Sequence, residues 1–226
     1  MTELTWLGHA SWLIRTGGHT LLIDPFLDDS PTAPLKPDAV SPDFILVSHG
    51  HADHVADCVR IALRTGATVI SNFEICEWLA KQGVAKTVAH NIGGGSKQPF
   101  GHVKLTLAHH SSSLPDGSNG GNPSGFLLSL ADGKIYLACD TGLFYDMKLI
   151  GGAGIDLAVL PIGDLFTMGI DDSIEAVKLI EPKRVVPSHY NTWPPIAQDA
   201  KRWAERVRKE TEAEPCVLTP GGKLTL

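Results

Sequence analysis

The 226-residue sequence has only four cysteines, Cys58, Cys76, Cys139 and Cys216, and no two of them form a C-x-x-C pair. A disulfide framework and a zinc knuckle are therefore disfavoured, and isolated reduced thiols are the expected state. No apolar run approaches the ~20 residues that a membrane span requires. The opening Met1-Thr2-Glu3-Leu4 lacks the basic start and apolar stretch of a secretory signal. A cytoplasmic location with no membrane partner is the expectation. Long basic runs are missing too, and the formal net charge is −6. Binding a phosphate backbone needs clustered Lys and Arg. A nucleic-acid partner is thus disfavoured, although bound cations would add local positive charge that the formal count omits.

What is present is an ordinary globular composition, long enough for a sizeable core and read here as one domain over residues 1–226. Short β-type runs alternate with helical ones. Leu4 to Leu7, Ser11 to Arg15 and Thr20 to Ile23 predict strands, the last two joined by a turn at Thr16-Gly17-Gly18-His19. A Pro-rich loop follows, then Phe44 to Val47, a continuous apolar run that predicts a buried strand. Val55, Cys58, Val59, Ala62 and Leu63 recur at helical spacing, with Gly66 placed to end the helix. Further strands are predicted at Thr68 to Ser71, Val103 to Ala108, Phe126 to Leu130, Lys134 to Cys139, Asp156 to Leu160 and Arg184 to Pro187. Helices are predicted at Glu74 to Lys81, Ser173 to Ile180 and Ala197 to Arg208, with a closing hairpin around Pro220-Gly221-Gly222.

A weak internal repeat runs through this pattern. Leu4 to Ser11 aligns with Leu105 to Ser112, each half then has a strand ending in Asp (Asp24, Asp140), and each later reaches Ser-His (Ser48-His49, Ser188-His189). Two similar β-rich halves with helices outside make a four-layer αββα sandwich, an α/β (α+β) fold, because facing sheets bury one face each and helices cover the other.

The densest chemical signal is His49-Gly50-His51-Ala52-Asp53-His54, four ligand-type residues on the turn between a buried strand and a helix. His49 and His51, two apart in an extended segment, can point the same way and chelate one ion. Asp53 and His54 lie where the chain turns into the helix and can face a second ion. Imidazole suits zinc, iron or nickel, and carboxylate also suits manganese. Asp53 is equally placed to cap the helix, but that accounts for one residue of the four.

The H-x-H-x-D-H pattern resembles the motif of the metallo-β-lactamase superfamily. The resemblance implies the αββα sandwich, a metal site at the edge of its two sheets, and further ligands at later strand ends: a His, an Asp and a His. His110, Asp140 and His189 stand in that order. Within the superfamily the chain resembles metal-dependent hydrolases related to ascorbate-6-phosphate lactonase. Trp6 to Ser11, Leu22 to Pro25, His110-Ser111-Ser112, Thr167-Met168-Gly169 and Pro187 to Thr192 carry that likeness. Gly163-Asp164 departs from it where a Gly pair is expected, which leaves substrate preference open.

The expected cofactor is two divalent metal ions, zinc first and manganese or iron as alternatives. His49, His51 and His110 would hold one, Asp53, His54 and His189 the other, with Asp140 between them. A hydroxide shared by the ions would attack a small ester, lactone or phosphodiester. Asp53 is also a candidate catalytic proton carrier. Asp24 and His9 are candidates to brace the ligands by hydrogen bonds. Tyr190 and Asn191, beside His189, are candidates to contact substrate, and Trp193-Pro194-Pro195 to cover one side of the site. Between neighbours, His110 rather than His109 is the expected ligand. Strand alternation would put His109 on the apolar row of Val103, Leu105 and Leu107, facing the core.

The expected partner is a small-molecule substrate, with a homo-oligomer compatible. Two other readings of the motif are a di-iron oxidoreductase of the same fold and a metal-binding protein without activity. The first usually carries an acidic residue within the motif, where this chain has His51, and a separate flavin domain. The second sits poorly with a complete ligand set.

Overall fold

The computed structural model describes residues 1–226. The chain runs β1 (Glu3–Trp6), β2 (Trp12–Thr16), β3 (His19–Ile23), β4 (Phe44–Leu46), α1 (Ala52–Val55), α2 (Cys58–Thr65), β5 (Thr68–Asn72), α3 (Phe73–Lys81), β6 (Thr87–His90), β7 (Gly95–Gln98), β8 (Gly101–Leu107), β9 (Ser124–Leu130), β10 (Gly133–Leu137), α4 (Met147–Gly151), β11 (Leu157–Pro161), α5 (Ile170–Ile180), β12 (Arg184–Ser188), α6 (Ala200–Glu210), β13 (Glu214–Pro215) and β14 (Lys223–Thr225). No helix is long and apolar enough to cross a membrane.

Two seven-stranded sheets result, ordered β14-β1-β2-β3-β4-β5-β6 and β13-β12-β11-β10-β9-β8-β7. In each, an antiparallel part (β14 to β3; β7 to β10) passes into a parallel part (β3 to β6; β10 to β13). Period-two alternation explains the layering. Leu4, Trp6, Trp12, Ile14, Leu21 and Ile23 point into the large core that also holds Phe126, Leu128 and Leu137 of the other sheet. Their neighbours Leu13, Leu22, Ile45, Val47 and Val69 point the other way and meet Ile61 and Ala62 of α2 and Ile75 and Leu79 of α3. The outer face of the second sheet packs on α5 and α6, where Trp203 is fully buried and its indole N–H donates to Ser173 Oγ at 3.1 Å. This is the four-layer αββα sandwich.

The two sheets repeat one topology, with β1 to β6 equivalent to β8 to β13. The aspartates after β3 and β10 are equivalent positions. The Ser-His pairs are not: His49 follows β4, whose counterpart is β11, whereas His189 follows β12, whose counterpart is β5.

Three further sequence expectations need correction. The helix predicted from Val55 to Leu63 is two helices, because the chain bends at Asp57 to meet the first loop: its carboxylate accepts from Leu27 N and Asp28 N at 2.7 and 3.0 Å. The Pro220-Gly221-Gly222 segment is not a hairpin. Its backbone pairs with Trp6, so the chain crosses from β13 in one sheet to β14 in the other. The last long helix starts at Ala200, where the Asp199 side chain caps it by accepting from Lys201 N and Arg202 N.

Candidate metal centre

The loops that leave β4, β8, β10 and β12 come together at one edge of the sandwich. They bring His49, His51, Asp53, His54, His110, Asp140 and His189 into one cluster. Donor atoms stand about as far apart as ligands of a shared ion. Nitrogen or oxygen donors ~2.1 Å from one zinc lie roughly 3.0–3.4 Å from each other. His49 Nε2 is 3.0 Å from His51 Nδ1, and His110 Nε2 is 3.3 Å from the same Nδ1. On the other side, Asp140 Oδ2 lies 3.0 Å from His189 Nε2, 3.3 Å from His54 Nε2 and 3.7 Å from His110 Nε2. Asp53 Oδ2 is 3.9 Å from both His54 Nε2 and His189 Nε2.

Several of these atoms have no partner in the protein. His54 Nε2, both nitrogens of His189 and Asp140 Oδ1 are buried without a hydrogen bond. Leaving such atoms unsatisfied costs about 1–3 kcal/mol each, and two of them, His54 Nε2 and His189 Nε2, flank the Asp140 carboxylate within 3.3 Å. The residues fit a metal centre on that ground.

The far side of each ring explains its orientation. Asp24, fully buried after β3, accepts from Ser48 N and Ser48 Oγ, both at 2.7 Å, and from His54 Nδ1 at 2.9 Å. Ser48 Oγ, having donated to Asp24, accepts from His49 Nδ1 at 2.9 Å. One carboxylate thus fixes two imidazoles with Nε2 free and facing the cluster. Ser111 Oγ lies 3.3 Å from His51 Nε2, which turns Nδ1 of His51 inward. Backbone strain accompanies the arrangement: His9, Asp24, Cys139 and His189 all have φ between 42° and 54°, a region non-glycine residues rarely occupy.

Electrostatics agree. Burial, reinforced by His54, holds His49 well below the usual imidazole value, and burial also lowers His51 and His110. These rings keep the neutral form that binds metal. Burial works against ionising Asp140, but His189 and His54 outweigh it and hold the carboxyl well below its usual range. His54 goes the other way. Burial disfavours its charge, yet Asp140 and Asp24 push it well above the usual value. A proton on His54 answers the same carboxylates that a cation would.

The cluster has a floor and a mouth. His49, His54, Asp140 and His189 are buried, while His51, Asp53 and His110 are only partly so, with the Asp53 side chain 28% exposed. An accessible side is what separates catalytic metal sites from closed structural ones. Asp53 does not cap α1, whose N-cap is His51 with no side-chain cap bond. Its Oδ2 instead accepts from His9 Nε2 at 3.0 Å, and burial holds His9 down to about 4, in the neutral form. His9 Nδ1 then accepts the hydroxyl proton of Thr192 at 2.7 Å, a tautomer assigned from the network. The ring is fully buried, 4.0 Å from His189 and 4.9 Å from Trp193 between centroids. Thr192 was not singled out from sequence, because a threonine three residues past a histidine carries no spacing signal.

Tyr190 and Asn191 lie elsewhere than expected. Tyr190 is buried and stacks on Trp6 at 5.3 Å, and Asn191 Oδ1 accepts from Gln198 N to close its own turn. The backbone is left-handed at His189 and at Asn191, so this turn sends His189 into the cluster while Tyr190 and Asn191 make their contacts elsewhere. His109 does not face the core either. It is exposed and stacks on Phe144 at 5.0 Å, because alternation slips after Leu105 and Leu107 already faces outward. His110 joins the cluster.

Residues 3–189 match the β-lactamase superfamily domain. A "UPF0173 metal-dependent hydrolase" of Heliobacterium modesticaldum is 47% identical over 234 residues, covering 100% of this chain and 98% of that one. One from Thermus thermophilus is 47% identical over 226 residues and covers both chains fully. The chain belongs to the UPF0173 family of metal-dependent hydrolases. Among solved structures of the fold, Igni18, described as a novel metallo hydrolase from Ignicoccus hospitalis, superposes with a TM-score of 0.90 at 34% identity over 99% of this chain and 98% of its own. The di-iron β-hydroxylase CmlA from Streptomyces venezuelae shares only the fold: 15% identity, TM-score 0.79, and 54% of its chain covered. This UPF0173 hydrolase therefore has a metal-dependent enzyme's fold and a His/Asp cluster to match.

Proposed function

We propose that the cluster is a dinuclear hydrolytic centre acting on a small ester, lactone or phosphodiester. The observation that carries this reading is the convergence of seven donor residues, three of them with buried, unpartnered atoms, with His51, Asp53 and His110 partly exposed on one side. His49, His51 and His110 would hold one ion and Asp53, His54 and His189 the other. Asp140, whose Oδ2 lies within 3.7 Å of His54, His110 and His189, stands between the two groups. Imidazoles with carboxylates suit zinc, and manganese or iron remain compatible. Bound ions supply an activated water, with a pKa lowered to about 7, and polarise the scissile group.

The chain's own residues do the rest. Asp24 and Ser48 hold His49 and His54 in register, so their lone pairs do not reorganise as charge develops. His9 donates to Oδ2 of Asp53, the oxygen that also faces His54 and His189, and so fixes the carboxylate at the cluster. His51, Asp53 and His110 form the side that substrate approaches.

A panel of esters, lactones and phosphodiesters with zinc- or manganese-loaded protein tests the reading. Turnover should fall at least ~10²-fold in His51→Ala and Asp140→Ala. If no turnover appears that these two variants abolish, the proposal fails.

A further inference from the structure

Five segments carry or flank the cluster, residues 48–57, 108–123, 138–146, 162–169 and 189–199. None contains a Lys or an Arg, and neither does the loop at residues 24–35. The same segments contain Asp24, Asp116, Asp146 and Asp164 besides the candidate ligands. A phosphate or carboxylate on the substrate beyond the scissile bond would find no cation on these segments to pair with, and desolvating it unpaired is costly.

One of these segments is apolar at its tip. β11 lies between β10 and β12 in parallel register, and the donors Asp140 and His189 leave the ends of those two flanking strands. The loop after β11 therefore rises between two ligand-bearing loops. Its stems are tied to both: Met168 N donates to Thr141 O at 2.9 Å, and a Cβ at Gly163 would sit 2.2 Å from His189 O. At the tip, Leu165 and Phe166 are 63% and 59% exposed, and Asp164 and Leu165 adopt left-handed backbone. Gln198 Nε2 donates to Gly163 O at 3.4 Å, joining this loop to the one carrying Trp193, Pro194 and Pro195. Two adjoining loops, leaving β11 and the His189-bearing β12, thus expose apolar side chains at Leu165 and Phe166.

Arginines bordering these segments already face carboxylates: Arg60 is paired with Asp28 and Asp38. Arg202 and Arg206 share a cavity with Asp164, Asp171 and Asp172, and Arg206 is already paired with Asp171 and Glu210. With three carboxylates and two guanidiniums, that cavity offers an anion no net positive charge.

We propose that the natural substrate carries an uncharged, apolar group next to its scissile bond, seated on Leu165 and Phe166, and no phosphate or carboxylate beyond the scissile group itself. This rests on the metal-centre reading above. It disfavours a phosphorylated sugar lactone, the substrate type implied by the finer likeness seen in the sequence.

The test uses three hydroxamates on metal-loaded protein, measured by calorimetry. Acetohydroxamate probes the metal centre alone, hexanohydroxamate adds an alkyl tail, and a third ends that tail in a carboxylate. Hexanohydroxamate should bind at least about tenfold tighter than both others, since each buried methylene adds favourable transfer energy. Phe166→Ala and Leu165→Asp should reduce the ratio of hexano- to acetohydroxamate affinity several-fold. Equal or tighter binding of the carboxylate-tailed probe overturns the proposal, as does a ratio unmoved by both substitutions. Failure of acetohydroxamate itself to bind would instead sink the metal-centre reading, and this inference with it.

Discussion

Thr192 reaches the cluster through His9: the Asp53 carboxylate, which can only accept, puts the His9 proton on Nε2, and the Thr192 hydroxyl donates to Nδ1 and anchors the ring. Removing the hydroxyl should unanchor the His9 ring and loosen Asp53. Thr192→Val is expected to weaken the ion held by Asp53, His54 and His189 by about tenfold, the lower end of what supporting hydrogen bonds to ligands contribute. Thr192→Ser should retain it. Metal titration followed by elemental analysis checks both, and equal affinity in Val and Ser variants would refute the relay. Asp24 is the stronger case, because it braces His49 through Ser48 and His54 directly. Asp24→Asn should lower metal affinity ~10–100-fold while the protein still folds, read as metal content beside circular dichroism. Asp24 and His9 were legible as candidates because aspartate after a strand and histidine after glycine sit beside the donor motif in the repeat. Tyr190 and Asn191 were chosen for adjacency to His189 alone. Adjacency says nothing once the backbone turns left-handed.

Elements were legible where burial is strong and the period clean. β4 and β11 are fully buried runs, and β3 splits its side chains between two cores as alternation demands. β6 and β7 escaped notice because they lie at sheet edges with mixed, half-exposed residues. Helix α4 is five residues long, too short for its period to show. The missed bend at Asp57 is set by a tertiary contact to Leu27 and Asp28, which no local pattern encodes. The β11 loop offers a test at this scale. Gly163 lies against the His189 carbonyl, and a backbone atom cannot yield as a side chain can. Gly163→Ala should cost about 1–3 kcal/mol and lower metal content together with stability. An unchanged melting temperature would show that the strand ends are looser than the geometry implies.

At the scale of the molecule, the αββα architecture was read from the weak internal repeat together with the resemblance carried by the H-x-H-x-D-H pattern, and the topology of the two sheets does repeat. The repeat misled only in equating His49 with His189, which follow inequivalent strands. The site is thus built across the two halves: His49, His51, Asp53 and His54 come from the first, and His110, Asp140 and His189 from the second. Metal bound there ties the sheets together and should stabilise the whole fold. At free metal a thousandfold above Kd, linkage supplies about 4 kcal/mol, or roughly 10 °C in a domain of this size. Chelation should lower Tm by that order, and zinc or manganese should restore it. The measurement closest to the central claim is metal stoichiometry: chelated protein titrated with zinc and analysed for bound metal per chain. The account predicts close to two ions per chain, with His110→Ala and His189→Ala each losing one. No uptake, or a single ion unaffected by either substitution, would contradict it.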